Sequence, residues 1–272
     1  RVDVSTAWGG KPIQSSPGLS ATEQFEAAAR GELKALVLAG VDPVDHGDPR
    51  LSLEGLEKAE FVISIEQRES EVTKRADVVF PAALIEEQAG HFYDWEHRER
   101  TVSLITSTNR TLMTDLRILA ALADALGADL GFRATAGAWD DYQEIGDWEG
   151  TRLSAPEVAD LGTQDGLVAA TWRELLDASR GNDHELALRA TARPPAARLS
   201  TATAEALGVE GVVRVNVAGG VLDLPVIVTR GMADDVVWVP MHPGIGTGES
   251  VPVRPGASAT IQAVHVEEGE GS

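Results

Sequence analysis

The sequence predicts an α/β protein: a parallel, Rossmann-like sheet with flanking helices, followed by a small β-barrel. Three observations predict it. Short apolar runs, "LKALVLAG", "FVISIE" and "DVVFPA", alternate with helix-like segments, and such alternation with short links implies a parallel sheet wrapped by helices. After residue 190 the pattern turns to valine-rich runs separated by Gly, Pro and Asp, the composition of strands and turns. The charge shifts at the same place: residues 1–190 carry a balance of −16 and residues 191–266 a balance of −1. A chain of 272 residues is long for one core and fits about two domains.

Each element has a local reason. Residues 1–18 are polar and rich in Gly, Pro and Ser and read as a loose lead-in. Ser20 and Glu23 have capping-box spacing ahead of "TEQFEAAARG", a helix closed by Gly31. "LEGLEKAE" and "QRESEVTKRA" read as helices between the three apolar strands, and "TVSLIT" as an edge or hairpin strand. In "TDLRILAALADALGADLG" the spacing puts Leu116, Leu119, Ala120, Ala123 and Leu126 on one helical face, with Gly127 near the end. Residues 133–190 form an irregular acidic connection with a helix at "TWRELLDASRG"; Trp139, Trp148 and Trp172 mark it as a segment that docks. Trp139 and Trp148 are candidates for a partner surface or for packing between domains. "STATAEALG" is a short helix, and "GVVRVNV", "GVLDLPVIVT", "DVVWVPMH" and "ATIQAVHV" are strands, the first two joined at Gly219–Gly220. The divisions are thus 1–18 lead-in, 19–132 α/β domain, 133–190 connection, 191–266 barrel and 267–272 acidic tail.

The totals exclude several functions. A net charge of −20 disfavours nucleic acid, whose phosphates it repels. The chain has no cysteine, which excludes disulfides, a thiol nucleophile and cysteine ligation of zinc or iron–sulfur clusters here. No apolar run approaches the ~20 residues of a membrane span. No G-x-S-x-G frame holds Ser64 or Ser250, and the adjacent Glu86 and Glu87 would point apart on a strand, so no glycosidase pair is indicated. "GIGTGES" (244–250) lacks the strand–turn–helix frame of a phosphate loop and reads as a barrel loop. No catalytic residue and no metal site is assigned.

Two stretches are left as candidates. In "LAGVDP", Gly40 ends an apolar strand before Asp42 and Pro43; ligands bind at the carboxyl ends of strands in open α/β sheets, and Glu66 ends the next strand. In "EEQAGHFYDWEHRER", His91, Asp94 and His97 stand at three-residue spacing among acids and arginines. The residues alone read as a charged, solvated loop, with a pH-sensitive ion-pair cluster as the alternative.

In order, "GELKALVLAGVDP", "FVISIEQRESEVTKRADVVFPAALIEEQAGHFYDWEHRER", "TWRELLD" and "LSTATAEALGVEGVVRVNVAGGVLDLPVIVTRGMADDVVWVP" resemble the molybdopterin oxidoreductase family over roughly residues 20–266. "GELKALVLAGVDP" and "GHFYDWEHRER" are similar to the branch that serves as iron–sulfur subunit of bacterial NADH-quinone oxidoreductase. The resemblance implies a final barrel of double-psi type, with iron–sulfur clusters in a preceding N-terminal part of a longer polypeptide. It implies partners among the other peripheral-arm subunits, at the cytoplasmic face of the membrane and without direct insertion. Catalytic members usually read E-x-x-G-T-x-x-N-x-E-G-R; here Glu87, Gly90, Glu96 and Arg98 match, while His91, Asp94 and His97 replace the threonine, asparagine and glycine. An added carboxylate and two bulky rings oppose a phosphate-bearing pterin. Gly40, Asp42, Pro43, Glu66, His91, Asp94 and His97 are therefore expected to be a vestigial pterin pocket in a non-catalytic scaffold that binds no cofactor. The alternatives are the cofactor-binding tail of a catalytic molybdenum oxidoreductase, such as a formate dehydrogenase with molybdopterin guanine dinucleotide, or a stand-alone nucleotide-binding module.

Overall fold

A computed structural model describes residues 1–9, 13–106, 112–147, 149–151, 154–155, 157, 165–182, 184–217, 220–242, 253 and 255–264. Trp148, Gly219, the 244–250 loop and the 267–272 tail lie outside them. The chain divides into two compact units that interleave in sequence: residues 1–20, 31–41 and 59–158 form one, and residues 21–30, 42–58 and 159–272 the other.

The first unit is built on a parallel sheet of order β1-β2-β3: β1 (Ala35–Ala39), β2 (Phe61–Glu66) and β3 (Val78–Pro81). Leu36, Val62 and Ile65 are buried along it, and the apolar runs reflect that burial. Asp77 fixes the start of β2: its Oδ2 accepts from Val62 N at 2.7 Å, and its own N–H donates to Val62 O at 2.9 Å. Gly40 follows β1 at φ +59, and its N–H donates to Ile65 O at 3.1 Å. That positive φ is what calls for glycine, since a Cβ there would meet nothing within 4 Å.

The same unit holds helices α1 (Val2–Ala7), α4 (Glu71–Arg75), α5 (Asp115–Ala125) and α6 (Thr135–Ile145), and a hairpin of β4 (Gly90–Tyr93) with β5 (Glu99–Val102). Ser70 caps α4 in a capping box with Thr73. Three readings differ from the sequence. The lead-in contains helix α1. Of the residues read on one face of α5, Ala120 is buried, whereas Leu119 and Leu126 are exposed; Ile118 and Leu122, four residues apart on one stripe, pack with Ile65 and Ala82. The segment read as irregular contains α6, because Thr135, Ala138, Trp139 and Tyr142 line one face toward the hairpin, and this packing outweighs its glycine and aspartates.

The second unit contains α2 (Ala21–Ala29) and α3 (Pro49–Lys58), which pack closely: a Cβ on Gly55 would lie 2.5 Å from Phe25 O. Its sheet has six strands in the order β11-β8-β9-β7-β10-β6: β6 (Val168–Trp172), β7 (Ala197–Leu199), β8 (Val212–Val217), β9 (Gly220–Val228), β10 (Val236–Pro240) and β11 (Ala259–Ala263). The β10–β6 and β7–β9 pairs are parallel and the others antiparallel. The sheet curls until its edges meet: Ala169 N–H donates to Ala257 O at 2.8 Å, Gly256 N–H to Ala169 O at 2.9 Å and Ala259 N–H to Leu167 O at 2.8 Å. Alternate residues of the strands, among them Val213, Val215, Leu222, Leu224, Val237 and Val239, fill the interior. Helix α8 (Thr201–Leu207) is capped by Ser200 and ended by Gly208 at φ +60; the short α7 (Leu186–Arg189) precedes it. The helix read at "TWRELLDASRG" does not form. Trp172 ends β6, and Asp177 Oδ1 then accepts from Ser179 N at 3.0 Å, a local bond that competes with helical hydrogen bonding.

Candidate functional site

The β4–β5 hairpin carries three of the sequence-predicted residues. Its register pairs His91 with Thr101, Phe92 with Arg100 and Tyr93 with Glu99, so His91 and Tyr93 share a face and Phe92 takes the other. That shared face rests on α6. The His91 ring stacks on Trp139 at 4.0 Å with 9° between planes, Trp139 stacks on Tyr142 at 5.3 Å, and Tyr93 lies 5.8 Å from Tyr142. A cavity of ≈ 270 Å³ borders the stack. His91 Nδ1 lies 3.0 Å from Glu99 Oε1, the partner strand's carboxylate. Burial raises the Tyr93 phenol above the usual range, assisted by its hydrogen bond with Tyr142.

The other two residues build the turn. Asp94 N–H donates to Arg98 O at 3.0 Å and His97 N–H to Asp94 O at 2.8 Å. Asp94 Oδ1 accepts from Glu96 N at 3.0 Å and Arg98 N at 2.9 Å, and its Oδ2 accepts from Arg98 Nε at 2.9 Å. These bonds, led by the Arg98 backbone N–H, hold the carboxyl below its ordinary pKa. His97 closes the turn at φ +62, the left-handed position of a three-residue hairpin loop that glycine normally fills, and its ring stacks on Tyr93 at 4.7 Å. Arg98 also bonds Glu96. Asp94 thus does what an asparagine oxygen would do at the same place, and His97 adopts a left-handed backbone that glycine adopts freely.

Of the remaining candidates, Glu66 is buried at the end of β2, and its Oε1 accepts from Gln67 N at 2.7 Å. Gly40 lies beside it through the bond to Ile65. Asp42 and Pro43 group with the second unit, where Asp42 Oδ1 accepts from Val44 N at 3.2 Å and caps a single 3₁₀ turn. Among the described residues no group of three or more His, Asp or Glu side chains is arranged to hold a metal ion. Of the aromatic partners, the sequence marks Trp139 as a candidate for a partner surface or for packing between domains, and leaves Tyr93 and Tyr142 unmarked. Their signals were the alternation of His91 with Tyr93 and the three-residue spacing of Trp139 and Tyr142.

The molybdopterin oxidoreductase family profile matches residues 5–125, a little under half of the chain. The chain is similar, at 39% identity over 89% of its length, to the G subunit of NADH-quinone oxidoreductase from Mycobacterium tuberculosis, and at 37% over 96% to the G subunit from Streptomyces coelicolor. The chain spans 31% and 32% of the length of those two relatives. Among solved structures it resembles acetylene hydratase from Pelobacter acetylenicus, with a TM-score of 0.57 and 16% identity over 89% of this chain and 46% of that one, a likeness of fold alone.

Proposed function

We propose that this chain is a C-terminal scaffold portion of the G subunit of a respiratory NADH-quinone oxidoreductase, with a barrel of double-psi type and no catalysis of its own. NADH-to-quinone electron transfer belongs to the whole complex, with iron–sulfur clusters upstream. The chain packs against other peripheral-arm subunits at the cytoplasmic face of the membrane and does not insert; no described helix is long and apolar enough to cross a membrane. The observation that carries the reading is the similarity to two such G subunits over nearly the whole chain.

The hairpin supports the absence of a pterin. The residues present do not fit that group: His91 is stacked on Trp139 and beside Glu99, both oxygens of Asp94 are held by the turn, and His97 lies against Tyr93. Asp94 adds a negative charge where a phosphate would lie, and the rings of His91 and His97 are taken up by Trp139 and Tyr93. The test is metal and pterin analysis of the purified chain. Molybdenum and iron should be substoichiometric, and a tightly bound pterin would overturn the reading in favour of a catalytic tail.

A further inference from the structure

The chain has two tyrosines, and the fold brings them together. Tyr93 ends β4 and Tyr142 lies in α6, yet their rings stand 5.8 Å apart with 41° between planes, inside the about 4.5–7 Å range of aromatic contact. Their phenols are hydrogen-bonded to each other, which places the ring carbons ortho to each hydroxyl near the junction of the pair. Tyrosine χ2 is broad and two-fold, so a ring flip presents either ortho carbon. Tyr142 is 44% exposed, and both rings line the ≈ 270 Å³ cavity beside the stack, so the pair is open to small molecules from solution. The scaffold role makes no use of either phenol.

We propose that Tyr93 and Tyr142 are an oxidative cross-linking site, which a one-electron oxidant converts to dityrosine, joining the hairpin covalently to α6. Each phenol gives one electron to the oxidant and one proton to water, leaving a phenoxyl radical whose unpaired spin resides partly on the ortho carbons. The two radicals couple by forming one bond between a Cε of each ring. Both rings regain aromaticity as the hydrogen on each coupled carbon moves to its phenol oxygen. The pair has then lost two electrons and two protons and gained no atom. Trp139 does not divert the reaction. It lies 6.4 Å from Tyr93 and 5.3 Å from Tyr142, and at neutral pH a tryptophan radical in contact with a phenol takes the phenol's electron. No thiol competes, because the chain has no cysteine. Coupling needs two phenols in contact, so the fold allows a single intramolecular product.

The test is oxidation of the dilute, full 272-residue chain by photogenerated tris(bipyridyl)ruthenium(III), one oxidant per tyrosine. Dityrosine fluorescence should appear while the chain stays monomeric on a denaturing gel. Peptide mass mapping should find the segments of Tyr93 and Tyr142 joined, with the loss of one hydrogen from each. Tyr93→Phe and Tyr142→Phe keep the rings, and each should remove the product. The same chain unfolded in urea should give about tenfold less intramolecular product, because ring contact then requires closing a long flexible loop. The cross-linked chain should also unfold at higher urea than Tyr142→Phe taken through the same oxidation, since a covalent bridge restricts the unfolded state. If a phenylalanine variant does not fold, the mapped cross-link and its yield in urea decide on the unaltered chain. Tryptophan loss without dityrosine, cross-links only between chains, a product that survives either variant, equal intramolecular yield in urea, or no gain in the urea midpoint would each overturn the proposal. None of these results bears on the scaffold role in NADH-quinone oxidoreductase, which metal and pterin analysis tests separately.

Discussion

His97 provides a direct test of how the hairpin is held. At φ +62 it occupies the left-handed region, which costs a non-glycine residue roughly 1–2 kcal/mol. Its ring offsets part of that by stacking on Tyr93 at 4.7 Å, an aromatic pairing worth about 0.5–1.5 kcal/mol. His97→Ala removes the stack and keeps the strain. His97→Gly removes both, but gives the unfolded chain more freedom, at a cost of about 0.5–1 kcal/mol relative to alanine. The shared loss of the stack cancels between the variants, so glycine should be the more stable by about 0.5–1 kcal/mol. This reverses the order expected in a helix or strand. Urea unfolding would measure the global difference, and hydrogen exchange at the Asp94 amide, bonded to Arg98 O, would measure it within the hairpin. If alanine equals or exceeds glycine by both measures, a left-handed constraint does not govern this turn.

Three further outcomes are expected. Trp139→Ala removes the ring under His91 and beside Tyr142; it should cost about 1–3 kcal/mol by urea unfolding, with loss of near-ultraviolet dichroism, and a neutral result would refute the hairpin–α6 stack. Gly55→Ala puts a Cβ 2.5 Å from Phe25 O, backbone that cannot swing aside, so the melting temperature should fall by the equivalent of about 1–3 kcal/mol. Burial pushes the His242 pKa down, against the opposing fields of Asp45, Asp177 and Asp42. A folded state that favours the neutral ring has this contribution intact above the unfolded value of about 6.5 and loses it as pH falls below that value, by no more than ~1.4 kcal/mol per pH unit for one proton. Urea midpoints should therefore decline on acidification, and His242→Gln should flatten that decline.

Local signals made many of the elements legible. Ser200 and Gly208 bound α8, and the alternating valines of β8 to β10 announce strands from their own neighbours. The errors fall where local and tertiary preferences disagree. Residues 173–182 carry helix-forming leucines, yet Asp177 and Ser179 bond one another locally and leave the segment without a helix. Residues 135–145 hold glycine and aspartates, yet gain a helix by stacking Trp139 and Tyr142 against the hairpin. The family motif singled out His91, Asp94 and His97, in a stretch whose residues alone read as a charged, solvated loop and which pairs as the β4–β5 hairpin. It could not give their roles, because a spacing of three does not distinguish a strand position from a turn position.

By itself, the sequence determined the α/β character, the valine-rich strands of the second unit, the lack of cysteine ligands and the kinship with a molybdopterin oxidoreductase fold. These depend on residue type and on periodicities of two and about 3.6, which the chain carries without reference to distant neighbours. Only the tertiary structure decided that residues 21–30 and 42–58 join the later strands in one unit, that the barrel edges meet through residues 256–259, and that Tyr93 and Tyr142 meet in one stack. Those facts rest on contacts between residues far apart in the chain, which chain closure and packing establish together and no local window contains.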